Sequence, residues 1–288
     1  MLKLSGGSMM SIEKFIRASD IDIINYLGRR NPSITDNENY FYFNRGSALT
    51  VVAHLDTVRK AGKVELINDN GVLSNKNGIL GADDRAGIFL LSKAFKMDCN
   101  ILVTNYEETG GKGVSKFVKD YPEACSGTKF FIELDRQGID NYVTYTELPT
   151  SYKLILETLD FKEEYGSFSD ITILSGHYLV PSINIGVGYY NQHTAKEYLD
   201  LQDLARAGRN LKLLLRTKWQ HEKITKALDY DSYGYEFDDS YGYEFDDVLY
   251  DELDLYGITD DFQKIKDKII NSDKLRRLIE SEILNLVT

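Results

Sequence analysis

Two cysteines in 288 residues exclude a disulfide framework, because Cys99 and Cys125 allow one bridge at most. Cys99 also opens the apolar stretch CNILVT, where a buried or idle thiol in a reducing compartment is the simpler reading. A cytoplasmic protein is expected. No apolar run approaches the roughly 20 residues needed to cross a bilayer, so no membrane association is expected. The opening MLKLSGGSMM has no signal-peptide core and reads as a leader-like or vector-derived segment before a start at Met9 or Met10. A basic surplus is missing as well: 34 Lys and Arg face 45 Asp and Glu, for a net charge of −11. The excess is local. Between Asp229 and Asp261 there are 13 acidic residues and no Lys or Arg, so the rest of the chain carries about +2. Nothing in this distribution suggests a nucleic-acid partner.

The acidic tract holds the one clear repeat, DSYGYEFD at 231–238 and again at 239–246. Eight residues in two copies cannot build a solenoid. Gly234, Gly242 and the dense charge point to a flexible segment over 223–258. Asp229, Asp231 and Gly234 match three positions of a calcium-binding EF-hand loop, but Tyr233 and Ser240 stand where oxygen ligands and a bidentate Glu are required. The EF-hand is rejected. Residues 259–288 read as two amphipathic helices, the second starting near Asn271–Ser272.

Residues 11–222 alternate strand and helix. Helical patterning covers about 11–28, and strands are expected near 39–44, 48–54 and 62–68. A helix begins at about Asp84. A strand follows at 100–105, a short helix at 113–119, a strand at 128–134, helical segments at 150–160 and 169–175, a strand at 182–187, and a long helix at 197–218. That rhythm predicts an α/β sandwich around a mixed sheet, a fold in which ligands gather beyond the carboxyl ends of the strands.

Those ends share a chemistry. VVAHLDT delivers His54 and Asp56. GADDRAG delivers Asp83 and Asp84 at the start of a helix. EETGGKG delivers Glu107 and Glu108, TKFFIEL is followed by Asp135, and SINIGVGYYNQ by His193. Each alone is most often a solvated loop acid, a satisfied histidine or a helix cap; Asp83 and Asp84 suit a helix N-terminus. Five successive segments of metal-ligand type make that explanation improbable. Two divalent ions about 3.5–4 Å apart need a shared carboxylate, imidazole and carboxylate ligands for each ion, and an unligated acid to shuttle a proton. The adjacent Glu107 and Glu108 suit the last two roles, since neighbouring side chains at a strand end point different ways.

This ordered set (AHLDT, GADDRAG, EETGGKG, a later Asp and a late His) resembles the zinc-dependent exopeptidases with dinuclear sites, including peptidase T and the zinc aminopeptidases, over roughly residues 40–215. The resemblance implies that Asp83 bridges two metals. His54 and Asp135 would complete one, Glu108 and His193 the other. Glu107 would be the general base, with Asp56 orienting His54 from behind. It also implies a cis peptide between Asp83 and Asp84, and two divalent ions, zinc foremost, with cobalt or manganese as alternatives. Relatives with a lid or dimerisation domain insert it between the last two ligands, and others insert a barrel between the first two. Here only 57 residues separate Asp135 from His193, and 28 separate His54 from Asp83.

The expected fold is therefore a three-layer α/β/α sandwich of the phosphorylase/hydrolase type, with a mostly parallel central sheet and no inserted lid or dimerisation domain. Without a lid, the oxyanion donor must come from elsewhere. EYGSFSD resembles the stretch where single-domain aminopeptidases carry a tyrosine and a Ser-Asp pair, which makes Tyr165 the candidate donor, with Asp170 shaping the substrate end. Tyr189 or Tyr190 are alternatives. His177 and His221 have no motif context and are expected to be structural or exposed. The expected activity is an aminopeptidase acting on short peptides. A deacylase or carboxypeptidase on small N-acyl compounds would use the same site, and a catalytically silent peptide-binding relative is the reading from another class. Neither side-chain preference nor oligomeric state has a signature in the sequence.

Overall fold

The continuous helical pattern at the N-terminus is broken in two. α1 (Ile12–Arg17) stops at Ala18, and α2 (Asp20–Gly28) starts afresh because the Ser19 hydroxyl accepts from Asp22 N–H while the Asp22 carboxylate accepts from Ser19 N–H. The computed structural model describes residues 11–59, 63–219 and 224. The leader-like segment, His221, the acidic repeat and the C-terminal helices expected from the sequence lie outside them.

The chain continues through β1 (Ile34–Asp36), β2 (Tyr40–Phe43), β3 (Leu49–His54), β4 (Leu66–Asp69), β5 (Val72–Asn75), α3 (Ala82–Ala94) and β6 (Asn100–Thr104). There follow α4 (Lys112–Asp120), β7 (Phe130–Arg136), β8 (Asn141–Thr144), α5 (Thr150–Thr158), β9 (Lys162–Glu163) and α6 (Asp170–Tyr178). The last elements are β10 (Ser182–Gly186), β11 (Tyr189–Tyr190), β12 (Tyr198–Asp200) and α7 (Leu201–Arg216). Eight strands form the central sheet in the order β1-β2-β6-β3-β7-β10-β8-β9. The inner four, β6-β3-β7-β10, are all parallel, and β8-β9 is too; the other pairings are antiparallel. This is a mixed α/β fold with a mostly parallel central sheet and, among the described residues, seven α-helices.

The inner strands are near-continuous apolar runs because both faces are covered. Val51, Ala53, Ile101, Val103, Phe130, Ile132, Ile183 and Ile185 join one core with residues of α3 and α7. The alternate residues Val52, Leu102 and Phe131 are equally buried, and α6 packs against β3, β7 and β10. A second sheet, β11-β12-β5-β4, is antiparallel throughout. Its β4–β5 hairpin turns at Asn70 and Gly71, both at positive φ. The long final helix begins at Leu201 rather than 197, because residues 198–200 pair with β5 and Asp200 Oδ1 accepts from the N–H groups of Gln202 and Asp203. Parallel inner strands put their carboxyl ends on one edge of the sheet.

Candidate metal centre

At that edge β3 ends on His54, whose side chain is 1% exposed. Its Nε2 lies 3.1 Å from Asp83 Oδ1 and 3.2 Å from Asp135 Oδ1, and its Nδ1 lies 3.4 Å from Asp56 Oδ1. The Asp56 contact is an electrostatic pairing rather than a formed hydrogen bond, since Nδ1 has no hydrogen-bond partner among the described residues. Asp56 is otherwise engaged: Oδ1 accepts from Glu107 N–H and Oδ2 from Glu108 N–H, both at 3.1 Å. One carboxylate thus ties the end of β3 to the turn beyond β6.

Asp83 stands where the chain enters α3 through Gly81, at φ 73°, and the Asp83–Asp84 peptide is cis. Its two oxygens face two imidazoles, Oδ1 towards His54 and Oδ2 towards His193 Nε2, each at 3.1 Å. Asp84 points inward, accepting from Gly87 N–H at 2.8 Å and from His54 N–H at 3.2 Å. Gly87 is obligatory by space: a Cβ there would sit 2.1 Å from the Leu134 carbonyl oxygen. Behind this turn, Arg59 donates to the carbonyls of Ile16 and Leu80, and the fully buried Arg85 pairs with Asp20. The N-terminal helices are in this way hydrogen-bonded to the segment that carries Asp83.

Glu107 and Glu108 lie on a 3-10 turn, Glu107–Thr109, entered through Tyr106 at positive φ, rather than at the strand end itself. Glu108 Oε1 is 2.9 Å from His193 Nε2. Glu107 and Glu108 gather with His54, each offering an atom within 4.8 Å of the others. Asp135 lies inside β7, and its Oδ1 also accepts from the Tyr189 hydroxyl. The structure therefore unites His54, Asp83, Asp135, Glu107, Glu108 and His193.

The donor set fits cations. The His54 tautomer that carries its proton on Nδ1, on the side of Asp56, presents an Nε2 lone pair to two carboxylate oxygens. An imidazole nitrogen and two carboxylate oxygens brought together in this way suit a positive charge between them, carried by a proton or by a metal ion. Ligands held at about 2.0–2.2 Å from a tetrahedral ion sit about 3.3–3.6 Å from each other, close to the separations found here. The electrostatics agree. Burial opposes a charge on His54, yet Asp135, Asp56 and Asp83 outweigh it and push its pKa well up. Hydrogen bonds to Asp83 and Glu108 raise His193 to about 10. Burial would raise Asp83, but the two imidazoles hold it below the usual range. Burial lifts Asp135 to about 6, and it lifts Glu107 to about 9 with help from Asp135 and Asp170 against the pull of His54. Both imidazoles thus lie among carboxylates that favour positive charge at this edge.

The other expected residues are placed differently from one another. Tyr165 is 90% exposed, and its carbonyl accepts from Arg136. Asp170 is buried at the start of α6 and accepts from the Thr104 hydroxyl. Tyr190 bonds to Asp203, which leaves Tyr189 as the tyrosine hydrogen-bonded to a member of the cluster among the described residues. His177 packs edge-on to Tyr178 near the Pro122 carbonyl. Cys99 and Cys125 are free and buried.

Two acids escaped the sequence reading. Glu133 is buried in mid-strand, accepting from Ser169; its signal was an acid inside the apolar FFIEL. Glu197 is buried beneath the Asp83 turn and left no comparable trace.

No protein-family model and no curated protein matches the sequence. Solved structures match it in fold. The aminopeptidase PepT of Bacillus cereus superposes with a TM-score of 0.54 at 13% identity, covering 72% of this chain and 99% of that one. A tripeptidase of Staphylococcus aureus gives 0.50 at 14% identity, covering 73% and 100%. The TET1 peptidase of Pyrococcus horikoshii, which assembles into a tetrahedron or a large octahedral shell, gives 0.50 at 13%, covering 72% and 99%.

Proposed function

We propose that the chain is a dinuclear metal-dependent hydrolase of amide bonds, an aminopeptidase acting on short peptides. One observation carries the reading: the two oxygens of Asp83 each face a different imidazole, one backed by Asp135 and the other by Glu108. Among the solved structures of like fold are an aminopeptidase, a tripeptidase and a TET peptidase, which supports a peptide as substrate.

In this reading His54, Asp83 and Asp135 hold one ion and Asp83, Glu108 and His193 the other, zinc first, with cobalt or manganese also suited to the donors. The ions, when bound, would polarise the substrate carbonyl and acidify a water. The protein's part is proton handling and orientation. Glu107 takes the proton of the attacking water and returns it to the leaving amine. Burial, with Asp135 and Asp170, raises its proton affinity, and nearby cations would lower it. Asp56 fixes the turn that carries Glu107 and Glu108 and places a carboxylate 3.4 Å from Nδ1 of His54, which favours the tautomer that leaves Nε2 as a ligand.

The catalytic domain is assigned to residues 11–222, a three-layer α/β/α sandwich without lid or dimerisation domain. Helices on both faces of the inner strands and the short chain between successive ligands support it. Every proposed ligand precedes residue 223, which supports assigning the chemistry to this domain. Two buried free thiols favour a cytoplasmic setting. The test is a screen of aminoacyl-anilides and N-acyl amino acids with added Zn²⁺, Co²⁺ or Mn²⁺. Metal-dependent release of the anilide alone is expected. Turnover of N-acyl compounds alone would make the enzyme a deacylase, and two bound ions without turnover of either class would favour the silent relative.

A further inference from the structure

Glu197 is 1% exposed, and its carboxylate accepts three successive backbone N–H groups. Gly81 donates to Oε2 at 2.8 Å; Ala82 and Asp83 donate to Oε1 at 2.7 and 3.1 Å. These amides line the turn that presents Asp83. Glu197 itself is held on both sides. Its N–H donates to the Thr194 carbonyl, next to His193, and β12 begins at the following residue, paired to β5. One buried carboxylate thus links the loop carrying His193 to the turn carrying Asp83.

Three charge-assisted bonds fix three consecutive peptide planes, and so the direction in which the Asp83 side chain leaves the backbone. The distance between Asp83 Oδ2 and His193 Nε2 is set at one end by this turn and at the other by the loop that Glu197 anchors. We infer that Glu197 is a positioning residue for the dinuclear centre: it sets the orientation of Asp83 and its register with His193, so that the affinity for both ions depends on a side chain that touches neither. The inference rests on the assignment of Asp83 as the bridge.

The test is calorimetric titration of metal-stripped protein with Zn²⁺ in the presence of a competing chelator. Glu197→Gln keeps the shape but turns an amide NH₂ towards backbone N–H groups that need an acceptor. Leu73→Ala is the control, because Leu73 is buried in β5 opposite Leu199 and has no part in the ligand set. Both variants are also ranked by thermal midpoint. In Glu197→Gln both dissociation constants should rise by at least about 10-fold, the usual scale for a partner that orients ligands. Leu73→Ala should stay within about 3-fold of the parent however far its midpoint falls. Should Glu197→Gln fail to fold, Glu197→Asp, one methylene short of the turn, is read in the same way. Parent-like affinity for both ions in the Glu197 variant, or a loss no larger than that of Leu73→Ala, overturns the inference and leaves the bridge intact. A parent that binds fewer than two ions overturns the bridging assignment itself, and this inference with it.

Discussion

The Tyr189 hydroxyl donates to Asp135 Oδ1 at 3.1 Å, and that same oxygen faces His54 Nε2. The phenol is fully buried, and burial together with Asp135 keeps it protonated, so it remains a donor. It steadies Asp135 and, among the described residues, is not hydrogen-bonded to Glu108 or His193. Tyr189→Phe should therefore weaken the two ions unequally, by about 10-fold for the one held by His54 and Asp135. Stepwise Zn²⁺ titration reads this directly, and equal weakening of both steps would show that Tyr189 does not act through Asp135.

Glu107 and Glu108 are chemically identical neighbours with different partners. Glu107→Gln should retain both ions while turnover falls by about 10²–10⁴, because the amide cannot accept the water's proton. Glu108→Gln should lose affinity for the ion shared with His193, since a neutral amide is a poorer ligand. Metal content and turnover measured together separate the two. The reverse pattern would exchange their roles.

Gly87→Ala tests how closely α3 approaches β7. The added methyl would lie 2.1 Å from Leu134 O and 2.2 Å from Asp84 Oδ1, too near for rotamer changes to relieve. A loss of about 2–3 kcal/mol or more in urea unfolding is expected, with metal affinity falling as the Asp84 segment shifts. A change below about 0.5 kcal/mol would mean that the backbone yields easily here.

The thiols should be silent in the native state. Burial pushes Cys99 up to about 12 and Cys125 to about 11. A raised pKa depletes the thiolate, which is the reactive form. At pH 8 a disulfide reagent such as DTNB should label neither cysteine in folded protein and both after denaturation. Rapid labelling of the folded chain would contradict the burial of both residues.

How much of this could be read from sequence depended on whether the determining contacts were local. Strand runs such as LTVVAH and NILVT are buried on both faces, so their apolar character survived intact as a signal. The candidate ligands converge because parallel strands send their carboxyl ends to one edge. The break between α1 and α2 rests on a capping box at Ser19, a short-range signal that an unbroken apolar period over 11–28 masked. The strand Tyr198–Asp200 exists because β5 lies beside it, and pairing partners so far apart leave no local pattern. Glu197 was missed for the same reason: its partners lie more than a hundred positions earlier in the chain. Tyr165 drew attention through its neighbours in sequence, yet its ring stands in solvent, while the tyrosine that touches a ligand follows a strand end.

The five proposed ligands run from position 54 to position 193 and come from segments that never adjoin in sequence. Ions held among them would act as cross-links closing several long loops at once, and the entropy of those loops would leave the unfolded chain's account. Metal-stripped protein would instead confront a crowd of like-charged carboxylates at a single sheet edge. Chelation should therefore lower resistance to proteolysis at the termini of β3, β6 and β7 first, and a chain newly made in metal-poor surroundings would be slowest to close at the edge where these carboxylates gather.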